Sequence, residues 1–204
     1  SNMRQMGTAM AMYSDTYSDY LTPQAEGGYM WTWEHQISRF MGVTNGVQPN
    51  KKDGTAPIFK CDSDAVVRND DTKNPRSYSF NRAKLVLPAG RGGCRIDNNQ
   101  KAITTDPADG LLIGAKVTRV RAHSHVIMIA ERIQENNFIA NNSCSGVMNP
   151  RAQRVNGTLP ISHGQRWNYL MVDGHVESLS DSESVEGSSN TNSETAIGRW
   201  KDNY

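Results

Sequence analysis

Apolar side chains recur along the opening "SNMRQMGTAMAMYSDTYSDY" at Met3, Met6, Met10, Tyr13, Tyr17 and Tyr20, in steps of 3, 4, 3, 4 and 3. Steps that alternate between three and four place one stripe on one side of an α-helix, so a helix over residues 1–21 with a single packing seam is predicted. Thr22-Pro23 closes it, because the proline ring disfavours helical geometry in the residue before it. The stripe is already running at Met3, which reads either as the C-terminal half of a longer helix or as a helix that opens the domain. A second helix is predicted at about 29–41, where Met30, Trp33, Ile37, Phe40 and Met41 share a face and Gly42 supplies the stop. Trp31 and Trp33 are expected to pack in or over the core, with an aromatic binding surface as the alternative reading.

The period then changes. "RSYSFN", "KLVLP", "DGLLIG", "KVTRV" and "HVIMIAE" are short runs rich in β-branched or aromatic residues, bounded by Gly, Pro, Asn and Asp, which predicts antiparallel strands. "VIMIA", residues 126–130, is apolar throughout and is expected to be the most buried strand. In "WNYLMVDGHVESL" two apolar-rich arms flank Asp173-Gly174, the dipeptide favoured in two-residue type I′ hairpins because both central residues need positive φ. Residues 132–160 read as loop. The expected architecture is a single α+β domain over 1–180, a long N-terminal helix on an antiparallel sheet with long loops. A polar tail follows over 181–204, whose "DSESVEGSSNTNSETA" is too poor in apolar residues to order fully unless "IGRW" docks back.

Composition narrows the function classes. With 204 residues and 36% hydrophobic content, below the roughly 45–50% usual for globular chains on a count that includes Gly, the buried material must be concentrated in few segments. The formal net charge of +1 offers no field to draw in nucleic acid or an anionic membrane. No run reaches the roughly 18 to 20 apolar residues needed to cross a bilayer. Cys61, Cys94 and Cys144 lie far apart without a CxxC pair, which argues against a zinc ribbon; a Cys94–Cys144 disulfide with Cys61 free, and three reduced thiols, both stand.

Three sharper chemistries compete with the hairpin. His123 and His125 in "AHSH" would place two imidazoles on one face of a strand, to join His163, His175 or Asp173 around a metal, but no fourth ligand is specified. Ser162, His163 and Asp173 would make a hydrolase triad, but the G-x-S-x-G elbow is missing. "GRGGC", residues 90–94, lacks the lysine and helix of a phosphate loop. Asp173 is first a turn residue.

His163, nine intervening residues and then Asp173-Gly174, followed by "HVESL", resembles the C-terminal H-x9-DG signature of bacterial prepilin-type, type II secretion pseudopilin-like proteins. "SNMRQMGTAMAMYSDTYSDYLTP" is similar to the segment after the membrane helix in that family, "IFKCDSD" to its Phe-x-Cys-Pro-x-Asp element, and "RSYSFN" to its Ser-Tyr-x-x-Asn element. "HVIMIAE" resembles its apolar strand ending in a glutamate, here Glu131, and "GRW" its closing Gly-x-Trp. Asp62 stands where proline is usual. The resemblance implies a pilin-like fold and a non-enzymatic structural subunit with a periplasmic or extracellular domain, anchored in the inner membrane by an apolar helix upstream of Ser1. It also implies partners among other pseudopilins and secretion components. His163, Asp173 and Gly174 carry over as structural signature residues, with His163 expected to bond a loop carbonyl. No cofactor is implied beyond calcium in some relatives, for which Asp62/Asp64 or Asp70/Asp71 would supply oxygens. The alternatives are a carbohydrate- or cargo-binding module on the same scaffold, through Trp31 and Trp33, and a metal-dependent enzyme using the histidines.

Overall fold

The computed structural model describes residues 2–22, 25–26, 31–43, 57–81, 116–120, 122–139, 146–147 and 163–186. Helix α1 spans Asn2–Thr16. It ends earlier than predicted, seven residues before Pro23. Ser18 takes up φ 51 and the Asp19 N–H reaches back to the Ser14 carbonyl at 2.9 Å, the long backward bond of a Schellman cap that satisfies an orphan carbonyl at the helix end. At about 1.5 Å per residue the rod is some 22 Å long. Met3, Met6, Met10 and Tyr13 are buried, while Tyr17 and Tyr20, beyond the cap, are half-buried.

The second helix also starts later than expected. Trp31–Thr32 forms strand β2, paired antiparallel with β1 (Ala25–Glu26), and α2 runs Trp33–Ser38 before a 3-10 turn over Arg39–Met41. Thr32 sets the boundary by adopting an extended backbone and donating its N–H to His35 Nδ1 at 3.2 Å. Gly42 provides the stop in the left-handed conformation, φ 76. Trp33 is fully buried, edge-on to Phe59, so it belongs to the core and is withdrawn from the binding surface suggested above.

The sheet has the order β5-β3-β4-β6-β7: β3 Tyr78–Asn81, β4 Ile127–Glu131, β5 Gly146–Val147, β6 Trp167–Met171 and β7 Val176–Leu179. β3, β4, β6 and β7 pair antiparallel, while β5, in a segment read as loop, pairs parallel with β3. β4 is central and buried along its whole length, as its uninterrupted apolar run demands. α1 and α2 cover one face, where Met3, Met6, Met10, Trp33 and Ile37 join Tyr78, Phe80, Ile129 and Leu170 in one core cluster. "KVTRV" is not a strand: Val117–Arg119 is a 3-10 turn, fastened by Val117 N–H to the Asp19 carbonyl at 2.8 Å. "KLVLP", "DGLLIG", Cys94, Cys144, Ser162 and "GRW" lie outside the described residues, as does most of the polar tail. The tail's start is a short helix, α3 (Asp181–Ser184), capped by Ser180 and Glu183, with Val185 buried.

The hairpin exists, with different turn chemistry. Asp173 does not take positive φ; Gly174 alone does, at 89°. The Gly174 N–H bonds the Met171 carbonyl at 3.0 Å and the Met171 N–H bonds the His175 carbonyl at 2.9 Å. This is a three-residue loop, a type I turn closed by a left-handed glycine, and it needs glycine at one position rather than two permissive residues.

Candidate functional site

Gly7, halfway along α1, is where the helix comes down on the sheet. A Cβ there would stand 2.9 Å from Leu170 Cδ1 and 3.2 Å from the Gly174 carbonyl oxygen, so the missing side chain is what lets the rod approach the hairpin. At the N-terminal end of α1, the Asn2 side chain donates to the Lys60 carbonyl at 2.9 Å and also reaches Tyr78. Immediately beyond lies a polar cluster built from four separate segments.

Cys61 follows the 3-10 turn Pro57–Phe59 and is held by its own N–H on Ser77 Oγ at 2.9 Å. Glu131 closes β4 on the face that carries α1, opposite Tyr78 of β3. It is 1% exposed, and Asn168 fixes it: the backbone N–H donates to Oε2 at 2.9 Å and Nδ2 to Oε1 at 3.1 Å. His163 opens a run of three left-handed residues, His163, Gly164 and Gln165, at φ 46, 67 and 69. That run turns its ring inward, with Nε2 3.5 Å from Cys61 Sγ and 3.1 Å from Glu131 Oε1. Among the described residues, Cys61, Glu131 and His163 form the group of potential metal-ligating side chains whose ligand atoms lie within 4.8 Å of one another.

Electrostatics keep the thiol neutral. Burial pushes the Cys61 pKa upward; the Ser63 backbone N–H on its sulfur pulls the other way and is outweighed, and the Glu131 charge adds to the rise. Tyr78 is raised far more strongly, again by burial first and then by Cys61 and Glu131. A Cys-His-Glu hydrolase needs thiol and carboxylate on opposite ring nitrogens, so that one accepts the proton while the other orients the ring. Here both face the same Nε2, an arrangement without that relay.

The expected metal combinations do not assemble. His123 and His125 sit in a turn rather than on a strand; His123 Nε2 contacts the Val117 carbonyl at 2.9 Å and His125 pairs with Glu186 at 2.6 Å. Asp173 and His175 form a pair of their own at the hairpin tip, 2.6 Å apart, with Glu177 on the other ring nitrogen at 2.9 Å. The His163 ring faces a carboxylate and a thiol, not the loop carbonyl anticipated for it. Of the aspartates suggested for calcium, Asp64 is buried and engaged by Arg68 and by Ser77 Oγ, and Asp70 by Thr72 and Lys73. From sequence alone Glu131 is only the end of a strand and Cys61 one of three thiols; the available signal is that each closes an apolar-rich run, "IFKC" and "VIMIAE", with a side chain able to bind or donate.

No protein-family model, curated protein or solved structure matches the chain.

Proposed function

We propose that the chain is a pseudopilin-like structural subunit of a type II secretion or type IV pilus-like assembly, held at the inner membrane by an apolar helix continuous with α1. The domain described above would then face the periplasm or the exterior. The observation that carries this reading is the seating of α1: an apolar seam buried along one side of an antiparallel sheet, with Gly7 lowered onto Leu170 and Gly174. Support also comes from where the motifs meet. Gly7, Cys61, Tyr78, Glu131, His163 and Gly174 each belong to one of the scattered elements that carry the resemblance, and they lie on the helix side of the sheet around one end and the middle of α1. On this reading the rod joins anchor to sheet, and the chemistry of the site is that of a clamp.

No helix among the described residues is long and apolar enough to cross a membrane, so the anchor is a property to be tested on the complete coding sequence. Co-expressed with a prepilin peptidase, the full-length product is expected to lose a short leader, seen by intact-mass measurement, and to sediment with inner membranes. A product that keeps its leader and is released whole on lysis without detergent would sink the reading.

A further inference from the structure

We propose that Cys61, Glu131 and His163 form a binding site for a zinc-class divalent transition-metal ion, with the fourth coordination position left to water. The inference is independent of the assembly reading and uses a different combination of residues from any suggested by the sequence.

Geometry carries it. A tetrahedral ion with metal–sulfur bonds of about 2.3 Å, and metal–nitrogen and metal–oxygen bonds of about 2.0–2.2 Å, holds its sulfur and nitrogen ligands about 3.5 Å apart, and its nitrogen and oxygen ligands about 3.3 Å apart. The observed separations are 3.5 Å for Sγ to Nε2 and 3.1 Å for Nε2 to Oε1. Hydrogen bonding accounts for this convergence less well. A single ring nitrogen carries either one proton or one lone pair, so it makes one good bond to one of its two neighbours.

Three further features fit a metal. A thiolate, a carboxylate and a neutral imidazole bring two negative charges, which a divalent ion neutralises in a largely buried place. The two Asn168 bonds orient the carboxylate from behind, as outer partners do in metal sites. The His163 side chain is 28% exposed, which gives an ion a path in from solvent. On binding, the Cys61 S–H bond breaks, its electron pair goes to the metal and the proton leaves to solvent.

Cobalt(II) and zinc(II) are suitable probes on the 204-residue chain under reducing conditions. One equivalent of Co2+ is expected to give the near-ultraviolet thiolate-to-cobalt charge-transfer band with tetrahedral d–d absorption, and one equivalent of Zn2+ to bleach both. The signal should persist with Cys94→Ser and Cys144→Ser together and vanish with Cys61→Ser. His163→Gln, at a partly exposed side chain that leaves the core intact, should also abolish it, and Asn168→Ala should weaken affinity about 10- to 100-fold. No charge-transfer band at one equivalent overturns the proposal. So does a band that survives either Cys61→Ser or His163→Gln.

Discussion

Arg76 and Glu34 are both sealed from solvent and meet side chain to side chain, with Arg76 Nε also on Asn137 Oδ1 at 2.9 Å. Removing one partner of such a pair leaves an uncompensated buried charge, at a cost of about 3–5 kcal/mol, whereas replacing both by apolar groups is often neutral. Arg76→Met is therefore expected to lower the unfolding free energy measured in urea by that order, and Arg76→Met with Glu34→Leu to recover most of it. At the hairpin tip, His175 titrates above its ordinary value, chiefly through Glu177, with burial opposing and Asp173 assisting. Asp173 titrates below its own: burial pushes it up, and the bonds from His175 outweigh that. A raised histidine contributes stability that is present below the unfolded pKa of about 6.5 and lost as pH rises through the folded value. A depressed aspartate contributes above about 3.9 and loses its contribution as pH falls through the lower folded value. The hairpin should thus be firmest from about pH 4 to 6.5, and His175→Gln should flatten the decline above that window. NMR titration of the His175 ring checks it: a midpoint at or below about 6.5 contradicts the account. What was legible at this scale was identity without company. His163 and Cys61 are 102 positions apart and His163 and Glu131 are 32 apart, so their meeting depends on strand order that no local pattern encodes.

Periodicity located the elements better than it located their ends. The stripe from Met3 to Tyr13 fixed α1 and its buried side, but Tyr17 and Tyr20 continue the same spacing beyond the helix, so the count alone could not find the stop. The cap that ends it depends on Ser18 in a left-handed conformation, which serine does not advertise. Asp173-Gly174 announced a hairpin correctly and mis-specified its loop, because the same dipeptide serves a type I turn with a glycine bulge. Gly7 tests how tightly the rod and hairpin fit. In an open helix Gly→Ala gains about 1 kcal/mol from propensity. Here the added methyl meets the buried Leu170 and a backbone oxygen, so Gly7→Ala is expected to gain nothing and Gly7→Leu to lose about 1–3 kcal/mol through overpacking. Equilibrium urea unfolding decides it, and a Gly7→Leu protein as stable as the parent refutes the close seating.

For the molecule as a whole, the α+β class followed from a 3.6-period stripe at one end and short β-rich runs afterwards. The order β5-β3-β4-β6-β7 did not, since it hinges on β5, two residues inside a polar stretch, and on a parallel pairing that alternation cannot signal. "KVTRV" misled for the opposite reason: β-branched residues there serve a turn tied to the end of α1. β7 is an edge strand of the sheet among the described residues. Arg166 lays a guanidinium nitrogen on the Ser178 carbonyl at 2.6 Å, Glu177 and His175 put charge along the same border, and α3 curls away directly after it. A border blunted in this way resists annexation by a stray strand from a neighbouring copy. Crowding of copies at high concentration is therefore not expected to drive sheet-to-sheet fusion along this border.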